Sequence, residues 1–258
     1  MTNPSRLVAA VVEKRLVLLR RYWMNTALRV FTMYATFALV FLGGRSIGGA
    51  NTDGALDITV VGFFLFLATS AAYFDVAGSV MREAQWGTLE QLYLSPAGIG
   101  RILSVEAVFN VVLSSGLALS LLAAMIVTTG RTLSIELLTI VPLLVVTILP
   151  AIGIGYVVAG LSLLYKRLEN VQQLLRFGFA GLIAAPGALR GPTLALLPIS
   201  PGSSLIIRSM TAGTSLWQFP ISELAALLVN STVYLVGGYL VFLSLVERTR
   251  DRGVMGHY

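Results

Sequence analysis

An all-α membrane protein with six transmembrane helices is the architecture the sequence predicts, on three observations. Hydrophobic residues make up 56% of the chain and charged residues only 12%, where a soluble domain carries roughly 25% charged residues. Six stretches, at 23–42, 58–80, 102–129, 137–165, 171–189 and 224–246, are apolar for about the 20 residues a helix needs to cross the hydrocarbon layer. The basic residues supply the third observation. An even number of spans puts both termini on one side, and thirteen basic residues then fall there: Arg6, Lys14, Arg15, Arg20, Arg21, Arg82, Arg101, Lys166, Arg167, Arg176, Arg248, Arg250 and Arg252. Four fall opposite, Arg45, Arg131, Arg190 and Arg208, and Arg29 lies within the first span. Lys and Arg near membrane spans stay on the cytoplasmic side. Both termini are therefore expected in the cytoplasm, with the chain multi-pass in the cell membrane. The net charge of +6 then belongs to the membrane face rather than to a nucleic-acid surface.

Composition removes whole function classes. The chain has no cysteine, so disulfides and thiolate metal sites are excluded, and its one histidine, His257, leaves no His-based metal cluster or triad. A phosphate-cradling loop needs Lys directly after glycine, in the order Gly-x-x-x-x-Gly-Lys-Ser/Thr. The two lysines, Lys14 and Lys166, follow Glu13 and Tyr165. The chain is accordingly expected not to be an enzyme and to bind no cofactor. No fixed-period repeat or Ser/Pro-rich linker divides it, so residues 1–258 read as one membrane domain.

Residues 1–24 lack the small-residue cleavage site and single apolar block of a secretory signal. Wound as a helix, they gather Arg6, Glu13, Lys14, Arg20 and Arg21 on one side, while Leu7, Val8, Val11, Leu18 and Trp23 lie mostly elsewhere. The pattern predicts an amphipathic helix lying in the inner interface; a loosely ordered basic tail is the other reading. The third and fourth spans are long enough to cross tilted. The fifth is short and holds Gly178, Gly181, Pro186 and Gly187, so its outer end is expected to break. Ala151, Gly155, Ala159, Gly237 and Gly238 offer small surfaces for close helix contact, within the chain or with a second copy.

The loop at 81–100 runs Met81-Arg-Glu-Ala-Gln-Trp-Gly-Thr-Leu-Glu-Gln-Leu-Tyr-Leu-Ser-Pro96, then Ala97-Gly-Ile-Gly. Gly87 releases one helical turn and Thr88 caps the next. Leu89, Leu92 and Tyr93 then share a side, while Glu83, Glu90 and Gln91 stay wet. The spacing predicts a short amphipathic helix across the cytoplasmic face, a connector or a docking surface by physics alone.

This loop resembles the signature loop of type-2 ATP-binding cassette (ABC) transporter permeases, with an acidic residue, Gly-Thr-Leu-Glu, an apolar stretch and a Pro before the third span. The six-span plan agrees. So does Leu197-Pro-Ile-Ser-Pro-Gly-Ser-Ser-Leu-Ile-Ile-Arg208, with Ser200 where that family usually has Asn, and so does the tail Arg250-Asp-Arg-Gly-Val-Met-Gly-His-Tyr258. The resemblance covers nearly the whole chain. It implies that the loop is a coupling helix seated on a separate ATPase subunit, with Glu83, Gly87, Thr88, Leu89 and Glu90 touching or shaping that interface. It also implies two copies of that ATPase, which would hold ATP and Mg, and a second permease, either this chain again or a sister. Export is likewise implied by the resemblance. The cargo class stays open among drug, lipid, peptide, polysaccharide and ion. Spans three to six are nearly uncharged, which favours a hydrophobic or amphiphilic cargo.

Arg29, Asp75 and Glu106 form an intramembrane charge cluster, roughly 7–9 Å below the cytoplasmic boundary at 1.5 Å per residue. Charges at that depth must be paired or wetted. The sequence allows Arg29 to pair with either carboxylate, side chains that snorkel, or a carboxylate ion site. An ion-coupled secondary transporter using Asp75 and Glu106 is the alternative function. Finally, the extracellular gate segment 186–220 holds five of the nine prolines, including Pro186, Pro198 and Pro201. Short re-entrant helices between spans five and six are predicted there, with a plain surface loop as the other reading. The resemblance implies that this segment closes the outward gate.

Overall fold

The computed structural model describes residues 4–48, 53–85, 91, 95, 98–165, 168–188 and 192–251, and every regular element among them is helical. Helix α1 (Pro4–Arg21) turns at Tyr22 into α2 (Trp23–Gly48). The chain continues through α3 (Asp53–Gln85), α4 (Ile99–Thr129) and α5 (Leu137–Leu164). Helix α6 (Glu169–Ala188) precedes two short helices, α7 (Pro192–Leu196) and α8 (Ser200–Ala212). A 3₁₀ turn at Leu216–Gln218 leads into α9 (Ile221–Asp251). Gly87, Thr88, Leu89 and Glu90 of the loop motif lie outside the described residues.

Among the described residues five helices, α2, α3, α4, α5 and α9, are long and apolar enough to cross a bilayer, which fits a membrane protein. The sequence predicts a sixth at 171–189. Helix α6 stands there, but Asn170, Gln172, Gln173 and Arg176 make its first half polar, and it is not among the five.

Helix α3 is the centre. Val60, Val61, Phe64, Leu65, Ala68, Ala72 and Tyr73 are fully buried along it. Its antiparallel neighbour α4 is tied to it at both ends, by Arg131 and Asp57 at 3.6 Å and, at the other end, through Lys14 (below). The Tyr73 ring meets Phe179 of α6 edge-on at 5.0 Å, and Phe37 of α2 meets Phe63 at 5.5 Å.

Lipid is as apolar as the side chains it would replace, so helices in a bilayer associate through close packing rather than hydrophobic expulsion. The α5–α9 contact follows that rule. Gly153 lies directly on the backbone at Tyr234 and Leu235, and a Cβ on Gly238 would stand 2.7 Å from Gly153 Cα. Gly155 packs on Val76 and on the Tyr73 carbonyl of α3, while Ala151 and Ala159 are fully buried. Four of the five small residues noted in the sequence are therefore used inside one bundle; Gly237 has nothing near it. Contacts advance in step from Val146–Ser231 through Gly153–Gly238 to Gly160–Leu245, so α5 and α9 run parallel.

Prolines inside helices need a separate account. A proline has no N–H for the carbonyl four residues back, and in a membrane that carbonyl must find another donor. Pro150 of α5 orphans the Val146 oxygen, and the Ser231 hydroxyl of α9 donates to it at 2.9 Å. Pro186 of α6 orphans the Leu182 oxygen, and the Ser200 hydroxyl donates to it at 2.6 Å. The sequence predicts a break near Pro186. Instead α6 runs uninterrupted through Gly178, Gly181, Pro186 and Gly187 to Ala188, and the Ser200 hydroxyl supplies the bond the proline removes.

Candidate functional site

Lys14 is where three helices meet. Its ammonium lies 2.6 Å from Glu83 Oε1 at the end of α3 and 3.6 Å from Glu106 Oε1 in the second turn of α4. The two carboxylate side chains are only 8% and 7% exposed, while Lys14 is 38% exposed. Buried carboxylates need a counter-charge, and the lysine stem is long enough to deliver one from α1 while remaining partly wet. In the chain the Gly-Thr-Leu-Glu run lies between Glu83 and Glu106, and one lysine holds both.

The sequence places Glu83 and Glu106 in separate candidate sets, and the structure brings them together. Lys14 belongs to neither set. The signal for it was the scarcity of lysine in a chain whose other cations are nearly all arginine. The proposed Arg29 pairing rests on a side chain outside the described ones.

Glu106 also begins a polar stripe, since Glu106, Asn110 and Ser114 recur every fourth residue, are all buried, and share one face of α4. Asn110 and Ser114 were legible as that spacing within an otherwise apolar helix. At the end of the stripe Ser114 lines a cavity of about 370 Å³ together with Asp75. It lies between the α1–α2 corner and the α3–α4 pair. Among the described residues no cation pairs with the Asp75 carboxylate. Arg82, two turns along α3, donates instead to the Asp75 backbone carbonyl at 3.1 Å. It folds back over Gly78, where a Cβ would stand 2.9 Å from its Nη1.

The opposite end of the bundle holds Pro186, Pro198 and Pro201. Pro198 precedes Ile199, whose φ of 70° and ψ of −36°, with Ser200 N–H donating to the Pro198 oxygen at 2.8 Å, form a γ-turn. A β-branched residue with positive φ is strained. Ile199 is held there by burial in the core. Pro201 opens α8 at its first turn, where its missing N–H costs nothing, and Gly202 lies directly on Thr147 of α5. Asn230 Nδ2 of α9 donates to the Ala195 and Leu197 oxygens at 2.8 and 3.2 Å, and the Tyr234 hydroxyl to the Leu196 oxygen at 3.0 Å. Arg208 pairs with Glu223 and stacks 5.0 Å over the Phe219 ring. Segment 192–220 is therefore folded onto α5 and α9 rather than lying as an open loop.

No protein-family model matches the chain, and no curated protein matches it either. Among the described residues no three His, Cys, Asp or Glu side chains gather closely enough to hold a metal ion.

Proposed function

We propose that the chain is the membrane-spanning permease subunit of an ABC exporter in the cytoplasmic membrane, moving a hydrophobic or amphiphilic cargo. ATP and Mg would sit on two copies of a separate ATPase subunit, and a second copy of this chain or a sister permease would complete the assembly. The observation that carries this reading is the Lys14 bridge. A force applied to the loop at 86–98 reaches α3 through Glu83, α4 through Glu106 and α1 through Lys14, so a partner docked on that loop would move all three.

Further features support the reading. Parallel α5 and α9, with only α6–α8 between them, require the chain to return along the bundle, which favours α6 as a sixth crossing stabilised by its neighbours. The distribution of Lys and Arg favours the α1 end as cytoplasmic. Helices α7 and α8, folded on the bundle and short of a full span, suit a re-entrant cap at the outer end. The alternative, an ion-coupled transporter using Asp75 and Glu106, is weaker because Glu106 already carries the Lys14 ammonium.

The test is co-purification with ATP-binding cassette ATPase subunits of the same cell, with Glu83→Ala/Glu90→Ala and Glu90→Ala alone beside the wild type. A stable complex with stimulated ATP hydrolysis is expected, weakened by Glu90→Ala and further by the double change. Failure of any ATPase to associate with the wild type would overturn the reading.

A further inference from the structure

We propose that the cavity between the α1–α2 corner and the α3–α4 pair binds a lipophilic amine, with the protonated nitrogen against the Asp75 carboxylate and the hydrocarbon part in the apolar end. As a statement about cargo this rests on the permease reading. As a statement about binding it does not.

Three observations carry it. The first is size: about 370 Å³ falls within the roughly 300–1,000 Å³ of small-molecule pockets. The second is polarity along the cavity. Asn25, Asp75 and Ser114 line it toward the α1 end together with Arg82 and Leu18, whereas Met33, Leu67 and Leu121 line it further from that end, deeper in the bundle. A head-to-tail gradient of that kind matches an amphiphile rather than an inorganic ion or a sugar. The third is charge. Asp75 lies within a helix apolar enough to span the membrane, where a carboxylate is costly unless neutralised. Glu83 and Glu106 have their ammonium from Lys14, and the Arg82 guanidinium donates to the Asp75 backbone rather than to its carboxylate. A cation delivered by the ligand offsets the cost of Asp75 and leaves the polar rim of Asn25 and Ser114 to accept the remaining N–H groups.

The test measures binding of tritiated dodecylamine and tritiated dodecanol to the full chain in phosphatidylcholine nanodiscs, with no ATPase present. Saturable amine binding at least tenfold tighter than that of the alcohol is expected. Asp75→Asn should bring the amine to the alcohol's level, and Asp75→Glu should retain the preference. If Asp75→Asn fails to fold, carbodiimide labelling of Asp75 in the wild type replaces it, with protection expected from N,N-dimethyldodecylamine, a tertiary amine that cannot couple to the activated carboxyl, and not from the alcohol. Equal binding of amine and alcohol, or an amine affinity or protection independent of Asp75, overturns the proposal. Tighter binding of dodecyl phosphate, lost in Arg82→Gln, overturns it in favour of an anionic amphiphile. An amine that binds to a chain that recruits no ATPase leaves the site standing and removes the permease. The reverse result removes only the site.

Discussion

At the α1–α3–α4 junction an ammonium on a flexible four-carbon stem joins three helices, whereas at the α5–α9 contact backbone lies on backbone with no side chain between. The two respond differently to displacement. Attraction between charges falls only as the inverse of distance, so Lys14 still holds its carboxylates after a shift of an ångström. Dispersion between packed atoms loses a quarter to a half of its well over a gap of about 0.5–1 Å. The charged junction is therefore suited to movement, and the glycine contact to serving as the part that does not move. Under the proposed role, force would enter where the bundle yields and be resisted where it cannot.

Substitutions that exchange the character of the two regions test this contrast. The largest effect is expected from Gly153→Val, because its Cβ would collide with the Tyr234 backbone, 2.6 Å from the carbonyl carbon, and backbone has nowhere to go. A loss of about 3 kcal/mol or more is expected, seen as loss of a monodisperse peak after detergent extraction. Gly237→Val, next to Gly238 but on a side of α9 with open space around it, should extract normally, and equal damage from both would end the argument for a fixed contact. Lys14→Met comes next. Two buried carboxylates would lose their shared ammonium, at about 2 kcal/mol given the partial exposure of the lysine. Adding Glu83→Gln should recover part of the loss of thermal stability, and strict additivity of the two changes would show that they do not interact. The smallest effect belongs to Arg208→Ala. Its pair with Glu223 is 45% and 41% exposed, so about 0–1 kcal/mol is expected, shrinking further in high salt.

Much of the fold was legible because a bilayer demands one thing above others, a run of apolar residues of fixed length. Five of the six predicted stretches are helices that meet that demand. The polar first half of α6 does not: Gln172 is buried, whereas Asn170 and Gln173 are exposed, and hydropathy cannot tell those placements apart. The site was legible in part. Glu83 and Glu106 stand out as acids beside or within apolar helices, but pairing depends on which cation the fold brings near. Lys14 is 69 residues from Glu83, and no local pattern connects them. The Asp75 cavity was invisible for the same reason, since its lining comes from four helices.

Pro150 with Ser231, and Pro186 with Ser200, carry a consequence for how this chain can vary. Each proline leaves a carbonyl that one hydroxyl meets, 85 and 18 residues away from it. Losing the serine alone strands a buried acceptor at about 1–3 kcal/mol. Losing the proline as well restores the helix's own donor, and the serine becomes dispensable. Each pair is thus inherited as a single character: the proline can be lost first and the serine afterwards at little cost, while the opposite order passes through a damaged intermediate.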